Sequence, residues 1–183
     1  MASVLVPLAQ GCEELEAVTV VDLLRRGGIE VITAGLDAQP VRASRGMLLV
    51  ADTTLDTALQ QEFDMVVLPG GLPGADHLRD DPRVIELVKK MAANDRYTAA
   101  ICAAPRVLAH AGLLDGKRAT SYPGALDINA VPDIDYKELP VVTDGKVITS
   151  RGPGTAMDFA LTLIETLAGR HKRDEVEAGL QRV

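Results

Sequence analysis

Short apolar runs that alternate with helix-patterned segments constrain the architecture of this chain more than any other feature. Val4–Leu8, Ile29–Ala34, Asp64–Leu68, Tyr97–Ile101 and Lys146–Ser150 read as buried strands. Between them, Glu13–Arg26 reads as a helix with Gly27 and Gly28 as its stop signal. Asp81 is placed to cap a helix that runs through Lys90, with Pro82 in its first turn, and Arg106–Leu114 follows the fourth strand as another. Two helices close the chain. In the first, Ala156, Phe159, Ala160, Leu163, Ile164 and Leu167 form a stripe at helical spacing, which is core rather than a cofactor box. Strands alternating with helices predict an α/β fold, a mostly parallel sheet with helices on both faces and right-handed crossovers. Val41–Ser44 and Leu48–Ala51 flank Arg45-Gly46 as a hairpin, and Ala119–Tyr122 and Val141–Val142 are short strand candidates.

The 183 residues are expected to form one domain, residues 1–183. No run approaches the roughly 20 apolar residues of a membrane span, and the N-terminus lacks a basic region before its short apolar run. Two cysteines, Cys12 and Cys102, are too few for a disulfide scaffold and suit a reducing compartment, so a cytoplasmic protein is expected. The net charge of -7 and 3% aromatic content argue against non-specific nucleic-acid binding. Neither Gly70-Gly71-Leu72-Pro73-Gly74 nor Gly152-Pro153-Gly154 fits a dinucleotide fingerprint. His77, His110 and His171 read as surface or structural residues. None belongs to a metal-binding pattern or to the His-x-Glu pair of a glutaminase, so no metal and no cofactor are expected.

Chemistry is expected at Cys102. It stands where the apolar run Tyr97–Ile101 ends and Pro105 opens a helix. Free N–H groups and the helix dipole at such a turn favour a thiolate, which can bring a cysteine pKa from about 8.5 to roughly 3.5 to 7.5. In a parallel sheet the functional crevice lies beyond the carboxyl ends of the strands. The loop Gln10–Glu16, the loop Pro69–Gly74 and the Cys102 turn should therefore converge.

These residues resemble the ThiJ/PfpI superfamily, in the branch of the parkinsonism-associated protein deglycase and bacterial YajL. Four motifs stand in that family's order: Gly11–Glu16, Val66–Gly71, Ala99–Pro105 and Thr149–Thr155. The resemblance implies a flavodoxin-like doubly wound α/β fold, a homodimer and an oxidation-prone cysteine at Cys102. It places the family's glutamate on Glu16, expected to be protonated and to donate to the sulfur, because a carboxylate beside a thiolate would repel it. It further implies oxyanion donors at the amides of Gly71 and Ala103, with glycine at 70 letting backbone approach a ligand. Glu13 and Glu14 read as solvated first-turn acids. Where the family often has histidine, this chain has Tyr122, whose phenol can donate a hydrogen bond but is no base at neutral pH. Cys12 lies in the first loop as a candidate redox accessory. Arg25, Arg26 and Arg45 are candidates for positive charge near the pocket or a dimer interface, the first two having also a simple helix-dipole reading.

The function implied is a cysteine-dependent, cofactor-independent enzyme of the stress response. It would act on small reactive carbonyls or glycated adducts, as a glyoxalase III or deglycase does. The alternative is a redox sensor or stress chaperone that works through oxidation of Cys102 with little turnover.

Overall fold

The computed structural model describes residues 1–182. In chain order the strands are β1 (Ser3–Leu8), β2 (Glu30–Gly35), β3 (Val41–Arg42), β4 (Leu48–Leu49), β5 (Thr53–Thr54), β6 (Met65–Leu68), β7 (Tyr97–Ile101), β8 (Arg118–Ala119), β9 (Asp135–Tyr136), β10 (Val141–Asp144) and β11 (Val147–Ser150). The helices are α1 (Glu14–Arg26), α2 (Leu55–Ala58), α3 (Gly74–Asp80), α4 (Pro82–Ala93), α5 (Pro105–His110), α6 (Ala156–Ala168) and α7 (Arg170–Gly179).

Seven strands form one sheet in the order β10-β11-β7-β6-β1-β2-β5, parallel throughout except for the antiparallel edge pair β10 and β11. Numbered along the chain, the five long parallel strands run 2-1-3-4-5, the flavodoxin-like doubly wound order. The expected fold class is therefore borne out. Successive residues of each strand face opposite sides, so two cores form. Val4, Val6, Leu8, Met65, Val67 and Ile101 pack with α1 and α6 on one face. Leu5, Val66, Leu68 and Ala100 pack with α2, α4 and α5 on the other. The stripe of α6 is buried from Ala156 to Ile164, with Leu167 partly buried, and α4 starts where predicted, with the Asp81 carboxylate accepting the Arg83 amide at 2.9 Å.

Register brings the loops together. Leu5 pairs with Val66 and Leu68 with Ala100, so one further step along the strands sets Leu8, Pro69 and Ile101 at one level. Three expectations need correction. α5 ends at His110, not Leu114, because Gly112 turns the chain at φ 76°. Residues 120–122 are not strand: the Thr120 amide donates to the Thr149 hydroxyl at 2.9 Å and the Tyr122 amide to the Cys102 carbonyl at 2.8 Å. α1 begins at Glu14, with Glu13 in extended conformation before it.

Candidate active site

Cys102 follows β7 with φ 63°, the left-handed region that a side chain ordinarily avoids at a cost of roughly 1 to 2 kcal/mol. Both of its backbone groups are tied: its amide donates to the Ser150 carbonyl at 3.0 Å and its carbonyl accepts the Tyr122 amide at 2.8 Å. This elbow leaves the residue 8% exposed at the sheet's carboxyl end. Conformational strain concentrated on a cysteine at that position is a mark of a functional residue rather than a packing one.

Glu16, in the first turn of α1, is fully buried and reaches the same point. Its Oε2 accepts the Gly70 amide at 2.8 Å, while Oε1 is buried without a hydrogen-bond partner and the Cys102 sulfur stands close enough to shift its pKa. Gly70 fills the gap between the two residues so fully that a Cβ there would lie 2.6 Å from the Cys102 Cβ and 2.8 Å from Glu16 Oε2. Gly71 follows at φ 84°, with no space for a side chain against the backbone of Cys12 and Glu13. Its amide and that of Ala103 both act on the Cys102 sulfur. The predicted residues Cys102, Glu16, Gly70, Gly71 and Ala103 are thus brought together.

The proton balance differs from the sequence expectation. Burial pushes Glu16 up to about 7, against the Gly70 amide and the Cys102 thiol, which favour the carboxylate. Burial, followed by the charge and hydrogen-bonding capacity of Glu16, pushes the Cys102 thiol up to about 12, against the amides of Gly71 and Ala103. The expected lowering by the helix end is overridden because the sulfur is buried, a carboxylate faces it and α5 has only 6 residues. The repulsion exists only while Glu16 is charged. Once Glu16 holds the proton, its O–H can donate to sulfur and the thiolate gains, so the pair carries one proton between two atoms.

Tyr122 stands beside the site through its backbone bond to Cys102, half-exposed, its ring lying over Gly152. Glu13 and Glu14 are not solvated. Both are buried, and their carboxylates clasp the β3–β4 hairpin: Glu13 accepts the Ser44 hydroxyl at 2.9 Å and Glu14 the Arg45 amide at 3.0 Å. Long-range partners of this kind leave no trace in local spacing. Cys12 is fully buried, and burial followed by the charges of Glu14 and Glu13 pushes its thiol up to about 12. Arg25 bonds the Asp52 carboxylate and the Val31 carbonyl, and Arg26 bonds Asp22, at the end of α1 opposite Glu16. Arg45 sits exposed at the hairpin tip. His77 is structural, its Nδ1 at 2.9 Å from the Gln10 carbonyl, and His110 and His171 are on the surface.

Arg106 and Asp76 join α5 to α3 beside the site by an ion pair of 2.7 Å, which the sequence reading missed. A charged residue in the first turn after the cysteine, within an otherwise apolar segment, was the one available signal, and it was not read. Among the described residues, no group of three or more His, Cys, Asp or Glu stands together as a metal site, and no helix is long and apolar enough to cross a membrane.

Comparison with known proteins agrees with this geometry. The DJ-1/PfpI family pattern matches residues 2–166. The chain is 45% identical to "Protein DJ-1 homolog A" of Arabidopsis thaliana, covering 96% of this chain and 45% of that longer protein. It is 36% identical to "Glutathione-independent glyoxalase DJR-1.2" of Caenorhabditis elegans, covering 96% of this chain and 92% of that one. The crystal structure of Drosophila melanogaster DJ-1beta superposes with a TM-score of 0.94 at 44% identity, covering 100% of this chain and 98% of that one. A strained cysteine elbow, a buried glutamate against it and this full-length likeness lead to one conclusion: the chain belongs to the DJ-1/PfpI family.

Proposed function

We propose that the protein is a cysteine-dependent, cofactor-independent enzyme that acts on small reactive carbonyls, of the glyoxalase III or deglycase type. The observation that carries this reading is that the strained Cys102 lies against a buried Glu16 whose carboxyl is pushed up to about 7, with the amides of Gly71 and Ala103 favouring the thiolate. The chain's likeness to a glutathione-independent glyoxalase supports it. In the proposed reaction the Cys102 thiolate attacks the aldehyde carbon of methylglyoxal. A C–S bond forms, the C=O π pair moves to oxygen, and the two amides stabilise the oxyanion. Glu16 protonates that oxygen, giving a hemithioacetal, and as carboxylate then removes the proton from the same carbon and delivers it to the neighbouring carbonyl carbon, while the hydroxyl proton passes from the first oxygen to the second. The result is a 2-hydroxy thioester, one carbon oxidised and its neighbour reduced, with no outside oxidant. Water cleaves the C–S bond, and lactate and the thiol are released. Early adducts of glyoxals with amines or thiols form reversibly, so their dissociation followed by the same steps on the released aldehyde would free the amine or thiol.

The resemblance and an exposed apolar strip support a homodimer. Leu15 and Val18 on α1 and Met47, Leu48 and Val50 around β4 are all exposed, Val50 to 81%, on two elements that the Glu14–Arg45 bond holds together, and apolar side chains grouped in this way mark an interaction surface. Cysteine usage supports a cytoplasmic, reducing setting.

A second reading, a redox sensor or stress chaperone whose Cys102 is oxidised with little turnover, is favoured by Tyr122, which supplies no base where the family often has histidine. One experiment separates them. Wild-type, Cys102→Ser and Glu16→Gln proteins are incubated with methylglyoxal while substrate loss and lactate are followed. Turnover in wild type that either change abolishes supports the enzyme. No lactate from wild type sinks it and leaves the sensor, which peroxide treatment and intact mass then test.

A further inference from the structure

Gly70-Gly71 and Cys102-Ala103 come from different segments, yet they pack against each other, a Cβ on Gly70 falling 2.6 Å from the Cys102 Cβ, and the amides of Gly71 and Ala103 both favour the thiolate. Gly71 leads into α3 and Ala103 into α5. These two short helices pack against each other, and neither is long enough to be rigid alone. Their polar link is Arg106 Nη1 on Asp76 Oδ1 at 2.7 Å, with Arg79 Nη1 on the same carboxylate oxygen at 3.0 Å. The next residue of α3, His77, donates through Nδ1 to the Gln10 carbonyl at 2.9 Å, which fastens the helix to the loop before Glu16. α3 is therefore anchored to both halves of the site.

The Arg106 side chain is 21% exposed, and its Nε is buried with no hydrogen-bond partner. An unmet buried donor is a cost that an ion pair kept only for stability would not carry, since an apolar side chain of similar volume avoids it. What the guanidinium does achieve is geometric: it fixes the first turn of α5 on α3, one turn beyond Cys102.

We propose that Arg106 is a positioning residue which, through Asp76, holds α5 against α3 so that the Gly70-Gly71 turn stays packed on the Cys102-Ala103 turn and the backbone amides keep their places around Cys102. It touches neither sulfur nor substrate. The proposal rests on Cys102 as the reacting atom of the proposed function, and its test reads that atom without requiring turnover.

The test is the rate of Cys102 alkylation by iodoacetamide across pH, located by peptide mass, in wild-type, Arg106→Met, Arg106→Lys and Asp76→Asn proteins, with thermal unfolding in parallel. Losing one amide from the thiolate slows alkylation at pH 7 by about tenfold and raises its pH midpoint in Arg106→Met and Asp76→Asn. Arg106→Lys recovers part of the rate because it keeps a charge on Asp76. The melting temperature of Arg106→Met stays at or above that of wild type, since the unmet donor is gone. In methylglyoxal turnover the same variants lose kcat while KM stays within about twofold. Alkylation that is unchanged or faster in the folded variants overturns the proposal. Should Arg106→Met fail to fold, Asp76→Asn, which keeps the volume, carries the same two outcomes. Wild-type protein that alkylates at Cys102 but makes no lactate overturns the enzyme reading alone, and the positioning claim is then decided by the alkylation rates.

Discussion

Gly70 and Cys102 pack so closely that a methyl group at position 70 would stand 2.6 Å from the Cys102 Cβ. The same methyl would meet the Ile101 carbonyl at 2.7 Å and Glu16 Oε2 at 2.8 Å, two of them groups with little freedom to retreat. Gly70→Ala is expected to lower stability by about 1 to 3 kcal/mol, as overpacking does, and to separate Glu16 from the sulfur. Urea unfolding checks the first effect. Loss of methylglyoxal turnover beyond what the residual folded fraction explains checks the second.

Glu16 makes the protein's stability depend on pH. Its folded pKa of about 7 lies above the unfolded value of 4.5, so its protonated form is favoured in the native state. Stability from this group is full below pH 4.5 and is lost as pH rises through 7, where the carboxyl loses its proton and burial penalises the charge. Glu16→Gln removes that charge. Relative to wild type it should gain stability progressively over this window, by about 3 kcal/mol at its upper end. Urea midpoints measured at several pH values test this, and a constant gap between the two proteins would refute it.

The left-handed conformation of Cys102 predicts an inverted order of substitutions. At φ 63° glycine carries no penalty, so Cys102→Gly is expected to be more stable than Cys102→Ala by about 1 kcal/mol, the reverse of the order at an ordinary helix or strand position. Parallel urea titrations of the two variants decide it. A more stable alanine variant would mean that the elbow relaxes once sulfur is gone.

The apolar strip on α1 and β4 predicts the oligomeric state. Val50→Asp, made where the side chain is 81% exposed, should leave the fold intact and convert a dimer to a monomer. Sedimentation of both proteins is the check. Wild-type protein that sediments as a monomer would remove this assignment.

Much of the architecture was legible because the relevant signals are local. The apolar runs became the long strands, the Ala156–Leu167 stripe became the buried face of α6, and Asp81-Pro82 opened α4. Cys102 was legible because a cysteine between a strand and a proline has few other places to go. The errors arose where distant groups decide. Glu13 and Glu14 looked like solvated acids because Ser44 and Arg45, which they bind, lie some thirty residues on, |i−j| being 31 for each of those bonds. The Cys102 thiol was expected to be acidic because the helix start is visible in the sequence, whereas burial and the facing Glu16 are not. Arg106 and Asp76, |i−j| 30 apart, meet only because the parallel sheet sets α3 beside α5.

The site is drawn from the loops after β1, β6 and β7 and is closed by the Ser150 carbonyl of β11, so its geometry exists only when most of the sheet is assembled. Contacts of such range form late and together in folding. The sulfur is thus a built-in gauge of the whole molecule: no excised fragment inherits its environment, and heat or denaturant should silence it in step with global unfolding rather than before.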